Sequence, residues 1–376
     1  MIPFNDRLSR LRRSEIRVYT NLAKQVDDCV MLTIGEPDFD TPQPIKDAAW
    51  AALRQGQTHY APNQGTPALR QAVAEFETKR GFACTPEQVL ITVGATGALF
   101  TALLGILNPG DEVIVPIPAF PLYESIITVA GAKMVPLDVS RDNFQITEGA
   151  LQKAMTEKTR AIVLNSPNNP TGAVYSEDSL QAVKRAVLGK PIWVICDAVY
   201  NQLTDAPCPD LSLDEEMRDQ ILLCQSFSKP YAMTGWRVGY LIGPEAVMER
   251  LLLLSAAEIA AVPTFQQSAC VTALGVDTAS MARTYSRRRD YVCDRLRKMG
   301  LSFPEPKGAF YVFPDISAFG MTSAEFCTQM IQKAKVAAVP GSCFGSEGYL
   351  RLSCCCSDQD LQKGLDRMED YVNHLT

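Results

Sequence analysis

The amino-acid sequence predicts an α/β protein: a large domain built on a sheet, followed by a smaller α+β domain. Three observations predict it. At 376 residues, 47% of them hydrophobic, the chain can bury a substantial core, and that size favours two domains over one. From Val89 to Gly243, short runs rich in β-branched and aliphatic residues alternate with helix-periodic stretches, the pattern of a sheet covered by helices on both faces. After about residue 278 the pattern changes to a long charged helix and then a mixture of short strands and helices.

The strand runs of the large domain are, in order, "VLITVG", "DEVIVP", "AKMVPL", "TRAIVLN", "PIWVICD", "ILLCQSF" and "WRVGYLIG". Amphipathic segments such as Glu177 to Leu188 lie between them. Thr278 to Met299 reads as a helix closed by Gly300, because glycine takes the left-handed conformation of a C-cap at low cost. "GAFYVFPDI", a helical run after Thr322, "VAAVPG", "YLRLSCC" and a last helix from about Asp358 make up the smaller domain. The segment 1–40 is too short to fold alone and is expected to pack with that domain, leaving 41–277 for the large domain and 278–376 for the small one.

Composition narrows the function. With 42 acidic and 36 basic side chains the formal charge is −6, which gives no general attraction to nucleic acid or to an anionic membrane. Any anion site must be built locally. No stretch reaches the roughly 18 uninterrupted apolar residues of a membrane span, and the basic N-terminus has no apolar region behind it, so the cytoplasm is the expected compartment. The 12 cysteines contain no Cys-x-x-Cys pair, and most sit in apolar runs as small buried hydrophobes. Cys354, Cys355 and Cys356, read as strand residues, alternate in direction and cannot converge on one metal. With only His59 and His374, neither a histidine zinc site nor a Ser-His-Asp triad is expected.

Ligands of open α/β sheets bind beyond the carboxyl ends of the strands, so the residues after each run are the candidates. "GATGAL" places Gly94, Ala95 and Thr96 at a helix start that either offers N–H groups to an anion or is a plain turn. "SPNNPTG" places Asn168 and Asn169 in another turn with the same two readings. Asp197 closes a hydrophobic strand, where a carboxylate is costly unless it meets a cation, several donors or a helix to cap; Tyr200 follows. After "ILLCQ", Ser226, Ser228 and Arg237 can surround a phosphate, with Lys229 among them. A lysine near cations and partly desolvated is disfavoured as an ammonium, which frees its nucleophilic amine. Phosphate cradle, carboxylate, amide, phenol and amine together are what pyridoxal 5'-phosphate requires.

On these residues the chain resembles, over essentially its whole length, the class I/II aminotransferases of the fold-type I pyridoxal-phosphate enzymes. "SFSKPYAMTGWRVGY" carries a Ser-x-Ser-Lys block with an arginine eight residues after the lysine, and "NSPNNPTG", "CDAVY" and "GYLRLS" stand in the family's order. The resemblance implies a mixed, mostly parallel seven-stranded sheet flanked by helices, pyridoxal 5'-phosphate as cofactor, and a homodimer with shared active sites. It implies Lys229 as the Schiff-base lysine and catalytic base, Asp197 at the pyridine nitrogen, and Tyr200 and Asn169 at the ring hydroxyl. Ser226, Ser228 and Arg237, with the backbone of Gly94, Ala95 and Thr96, would hold the phosphate. Phe120 would stack on the ring, and Tyr60 would reach the neighbouring subunit's phosphate. Arg351, with Asn169 and the side-chain-free Gly35, would take the substrate α-carboxylate.

Within the family the likeness runs to the bacterial N-acetyl-diaminopimelate aminotransferase and its aromatic and aspartate relatives, through "LTIGEPDF", "FGMTSAEF", "VAAVPGSCFG" and "EGYLRLSCCCSDQDLQKGLDRME". The cysteine triplet departs from the small and apolar residues expected after "RLS". The reaction implied is transfer of an amino group from an L-amino acid to a 2-oxo acid such as 2-oxoglutarate, by a ping-pong route. A carbon–sulfur β-lyase uses the same fold and lysine and is a second reading. A ligand-sensing domain of a transcription regulator is a third, against which stands the lack of a basic DNA-binding domain.

Overall fold

A computed structural model describes residues 4–11, 15–204 and 206–375; residues 1–3 and 12–14 of the predicted N-terminal segment lie outside these. A short strand β1 (Val30–Met31) precedes the main sheet. That sheet consists of β2 (Val89–Thr92), β3 (Glu112–Ile117), β4 (Lys133–Asp138), β5 (Thr159–Asn165), β6 (Trp193–Asp197), β7 (Ile221–Ser226) and β8 (Gly239–Ile242). All seven runs read from the sequence are therefore strands of one sheet, in the order β2-β8-β7-β6-β5-β3-β4. β3 to β7 pair in parallel, whereas β8 runs antiparallel to both of its neighbours.

The uninterrupted hydrophobic character of these runs follows from the helices on both faces. Successive strand residues point to opposite faces, so each strand divides its side chains between two cores. In β5, Ile162 and Leu164 join one core with Val194 of β6 and Leu223 of β7. Ala161 and Val163 join the other, with Ile195 and Leu222. The helices Pro67–Lys79 and Glu177–Val187 cover the first face through Leu69, Val73, Leu180 and Val183. Gly94–Ile106 and Leu122–Ala130 cover the second through Leu99, Leu103, Ile126 and Ile127. Each fully buried Leu or Ile contributes about 1.5–3 kcal/mol, so both faces hold the sheet rigid beneath its strand ends.

The direction of β8 matters for the site. The parallel strands bring their carboxyl ends to one edge, and an antiparallel strand brings its amino end to that same edge. Thr92, at the end of β2, and Ser226, at the end of β7, both pair with Gly239, the first residue of β8. Arg237, two residues earlier, is thereby delivered to the edge where Lys229 lies.

A separate core gathers the C-terminal residues with part of the N-terminal segment. Here β9 (Tyr311–Val312), β11 (Val339–Pro340) and β12 (Leu350–Ser353) form an antiparallel sheet ordered β11-β12-β9, while β10 (Val336–Ala337) pairs in parallel with β1. Val292 and Leu296 of the helix Ala279–Lys298 and Leu361 and Leu365 of the helix Asp358–Asn373 pack with Val30 and Leu32. The long helix ends with Gly300 at φ 73°, the C-cap expected from its sequence. The helix after Thr322 is Ser323–Gln329, opened by a capping box between Thr322 and Glu325. Arg288 joins the N-terminal loop to the last helix, bonding Asp38 at 2.8 Å and Asp358 at 2.7 Å.

Two local expectations change. The run "VAAVPG" is split between two sheets, because Val336–Ala337 bonds to β1 and Val339–Pro340 to β12. The cysteine triplet does not lie on a strand: β12 ends at Ser353, and the Cys355 N–H turns back onto Ser353 Oγ at 3.3 Å. Cys354 and Cys355 are buried and Cys356 is partly buried. Among the described residues no helix is long and apolar enough to cross a membrane.

Candidate active site

Beyond the carboxyl ends of the parallel strands lies a cavity of about 260 Å³. A larger surface cleft of about 1010 Å³, around Ser140, Tyr175 and Lys307, holds none of the predicted residues. The smaller cavity brings three kinds of group together.

Its first end is built for an anion. The helix Gly94–Ile106 begins with Gly94 at φ 65°, and Gly97 is the first residue whose N–H finds a carbonyl, Val93 O at 3.2 Å. The N–H groups before it have no intrahelical acceptor, and the helix dipole adds positive charge there. Ala95 and Thr96 line the cavity; Gly94 shapes the turn from behind. Arg237 lies against that turn, so that a Cβ on Gly94 would stand 2.8 Å from Arg237 Nη2. Arg237 itself has φ 54°, a left-handed conformation that costs on the order of 1 kcal/mol, and its Nη1 donates to Thr234 O at 2.9 Å. Ser226 and Ser228 are buried, with hydroxyls 2.9 Å apart. Gly239 permits this close packing: a Cβ there would stand 2.6 Å and 2.8 Å from the backbone of Gly94 and Ala95.

Lys229 stands next to the cradle. Its Nζ donates to Gly35 O at 2.6 Å. Burial pushes its pKa down to about 8, with Arg351 and Arg237 acting in the same direction and Cys355 and Glu36 opposing. In the cofactor-free protein the unfolded chain therefore binds the extra proton between about 8 and 10.5. Lys229's contribution to stability is full above that window and is lost as the pH falls through it. Over the same scale, the rate at which the cofactor-free protein captures an aldehyde should rise with a midpoint near 8, measured by stopped-flow absorbance. A rate flat from neutral to alkaline pH would contradict this.

On the far side is Asp197, 5% exposed. Burial raises its pKa to about 6, against the lowering effect of the Tyr123 hydroxyl, the Val199 N–H and Lys229. Tyr123 donates to Oδ2 at 2.5 Å, the distance of a charge-assisted O–H···O bond. Asn165 fixes the neighbourhood, donating to Asp197 O at 3.0 Å and accepting from the Asn169 N–H at 2.8 Å. Asp197 makes no ion pair with a described residue, and Lys229 acts on it only from a distance. Tyr123→Phe should raise the Asp197 pKa above about 6 and weaken cofactor binding near neutral pH by roughly tenfold, the worth of a bond to a charged group. A carboxyl NMR titration and the cofactor Kd check the two effects.

Arg351 closes the cavity, 2% exposed. Its Nη1 donates to Asn169 Oδ1 at 2.9 Å and its Nη2 to Thr33 O at 2.6 Å. The guanidinium lies 4.5 Å from the Tyr311 ring centroid, and its Nε is buried without a partner among the described residues. Tyr311 Oη is 3.0 Å from Tyr200 Oη, so one tyrosine touches both the predicted phenol and the predicted guanidinium. Gly35 lines the cavity. A side chain there would strike the Tyr311 hydroxyl.

Phe120 lines the cavity and meets Tyr123 edge-on at 6.1 Å. Asn168 does not line it; its Oδ1 holds the turn by accepting from Thr171 N and Oγ1. Tyr60 is 92% exposed and outside this chain's cavity. Sequence reasoning missed Tyr123, Asn165, Gly239 and Tyr311. Asn165 is the last residue of "AIVLN", one step before the turn "SPNNPTG". Tyr123 lies one helical turn after Phe120, a spacing visible in the sequence. Tyr311 and Gly239 gave no local sign, since each matters through a contact distant in the chain.

An anion cradle, a buried amine of lowered pKa and a buried carboxylate that no described residue ion-pairs fit the phosphate, aldehyde and ring nitrogen of pyridoxal 5'-phosphate. Fold and site together define a pyridoxal-phosphate enzyme of the α/β type. Residues 27–368 match the family described as "Aminotransferase class I and II", and the chain belongs to it. It is an aminotransferase, and the family's cofactor is pyridoxal 5'-phosphate. The chain is 40% identical to the probable N-acetyl-LL-diaminopimelate aminotransferase of Bacillus subtilis, across 98% of this chain and 95% of that one. It is 39% identical to aromatic-amino-acid aminotransferase 2 of Thermococcus litoralis, across 98% of both. Among solved structures, the aspartate aminotransferase of Thermotoga maritima superposes with a TM-score of 0.93 at 36% identity, covering 98% of this chain and 100% of that one.

Proposed function

We propose that this aminotransferase carries the amino group of an L-amino acid to a 2-oxo acid, 2-oxoglutarate foremost, with N-acetyl-LL-diaminopimelate as its leading amino acid. The observation that carries the site assignment is the convergence of Lys229, Asp197 and Arg351 on one cavity. The Bacillus subtilis relative supports the choice of amino acid. When bound, pyridoxal 5'-phosphate supplies an aldehyde that accepts the amino group and a ring that delocalises the electron pair left at Cα.

The chain's residues do the rest. Lys229 would hold the cofactor's aldehyde through Nζ, and its amine would serve as the general base that takes the Cα proton. Asp197, as a carboxylate, keeps the ring nitrogen protonated, and Tyr123 holds it in that form. Ser226, Ser228, Arg237 and the backbone of Gly94, Ala95 and Thr96 anchor the phosphate, and Phe120 covers the ring. Tyr200 and Asn169 bond the ring hydroxyl. Arg351, with Asn169 and Gly35, grips the α-carboxylate, so that the Cα–H bond stands where Lys229 can reach it.

We infer a cytoplasmic homodimer in which Tyr60 completes the partner's phosphate site. The exposure of Tyr60, with Trp50 at 59% and Leu253 at 64%, supports it. The domain division at residues 40 and 277 is likewise our reading, supported by the separate C-terminal core.

The test is a panel of amino donors against 2-oxoglutarate, scored by kcat/KM, with N-acetyl-LL-diaminopimelate, glutamate, aspartate, phenylalanine and tyrosine. Initial-rate plots against one substrate at several levels of the other should be parallel lines. Intersecting lines would exclude the ping-pong order, and an inert N-acetyl compound would exclude the leading substrate.

A further inference from the structure

We propose that Tyr311 is a positioning residue for Tyr200: its hydroxyl donates to the Tyr200 hydroxyl and so turns Tyr200's own hydrogen toward the cofactor's ring hydroxyl. This role rests on the places given to Tyr200 and Arg351 in the proposed function. The fold brings the three side chains together by register and by one backbone bond. Tyr311 of β9 stands opposite Ser353 of β12. Arg351, two residues before Ser353, lies on the same face of that pair and is the diagonal neighbour of Tyr311. Tyr200 comes from the turn after β6, in which the Leu203 N–H donates to Tyr200 O at 2.8 Å. Leu203 O in turn accepts from the Ala309 N–H at 2.8 Å, two residues before Tyr311.

Hydrogen-bond arithmetic sets the direction of the contact. Tyr200 and Tyr311 are buried, both line the cavity, and their hydroxyls are 3.0 Å apart. A phenol has one hydrogen to give. Once Tyr200 gives its hydrogen to the ring hydroxyl, the 3.0 Å contact is a bond only with Tyr311 as donor. A bond received also polarises the bond given, which strengthens the donation from Tyr200. Burial raises the Tyr311 phenol to about 12 and the Arg351 charge opposes that rise, so the hydroxyl is protonated at neutral pH and polarised toward donation. Its position is closely set. The Tyr311 ring meets Tyr200 edge-on at 5.7 Å, and a Cβ on Gly35 would overlap its hydroxyl. The ring has a different neighbour from the hydroxyl: the Arg351 guanidinium lies over it, 4.5 Å from the centroid. Removing the hydroxyl while keeping the ring therefore touches Tyr200 and spares Arg351.

The experiment compares the holoenzyme with Tyr311→Phe, Tyr200→Phe and the double variant. A donor to the ring oxygen stabilises its anion, so weakening that donor should raise the pH at which the cofactor's visible band titrates. The expected rise is about half a unit in Tyr311→Phe and about one unit or more in Tyr200→Phe. In the Tyr200→Phe background, Tyr311→Phe should add nothing, because its hydroxyl acts on the band through Tyr200. The Kd of α-methylglutamate, which has no Cα proton and cannot turn over, should stay within about twofold in Tyr311→Phe, since the ring over which Arg351 lies is kept. A general disturbance of the site would move the band and the Kd together. A titration unmoved in Tyr311→Phe, or moved as far without Tyr200 as with it, overturns the role, and so does a Kd that rises about tenfold alongside the band. A band unmoved by Tyr200→Phe overturns the place of Tyr200 at the ring hydroxyl, and the role of Tyr311 with it, while amino-group transfer in the donor panel stands.

Discussion

Lys229→Ala should lower kcat by at least about 10⁴-fold and abolish the visible absorbance band of the bound cofactor. Both effects follow from one side chain, because Lys229 is the one lysine among the described residues lining the cavity and, in the function proposed, is both the attachment point and the base. The fold should survive. The lost bond from Nζ to Gly35 O stabilises by about 1 kcal/mol, and removing a desolvated amine offsets part of that. Thermal unfolding of the cofactor-free variant should therefore lie within a few degrees of the wild type, which separates loss of chemistry from loss of structure. A variant that keeps both its band and its turnover would sink the assignment.

Arg351→Ala should lower kcat/KM for amino acids by about 10²–10³-fold, chiefly through KM, because a buried bidentate bond to a carboxylate is worth about 3–4 kcal/mol. The cofactor spectrum should be intact. Arg351 also donates to Asn169 Oδ1 and Thr33 O, so alanine leaves two acceptors unpartnered and some stability is lost as well. Arg351→Lys distinguishes the two effects. It keeps the charge but loses the planar fork, so its stability should lie near the wild type while its KM stays high. Unchanged steady-state kinetics in the alanine variant would remove Arg351 from the site.

Much of the site was legible because the fold concentrates chemistry at strand ends. Asp197, Ser226 and the "GATG" turn each follow a hydrophobic run, and a polar residue at such a boundary stands out from its neighbours. Arg237 was legible as a cation near Ser226 and Ser228 in the chain, but nothing local says that β8 reverses and carries it back to the helix at Gly94. Tyr123 and Tyr311 sit inside apolar stretches and read as core. Their hydroxyls matter through Asp197, 74 residues from Tyr123, and Tyr200, 111 residues from Tyr311. The split of "VAAVPG" between two sheets escaped for the same reason, since one half needed β1, some 300 residues earlier, as its partner.

Whereas the guanidinium of Arg351 came from the family resemblance, the sequence by itself determined the seven strand runs, the cap that ends the long helix, the helical run after Thr322, and the amine and the carboxylate that stand at strand ends. These depend on alternation, capping and side-chain chemistry, which act over a few residues. Tertiary structure alone decided that a tyrosine partners the carboxylate and that Gly35 makes room for Tyr311. It also decided how far Lys229 and Asp197 depart from their ordinary pKa values. Desolvation depends on what packs around a group and on which distant donors reach it, and the packing of sheet, helices and second core sets both.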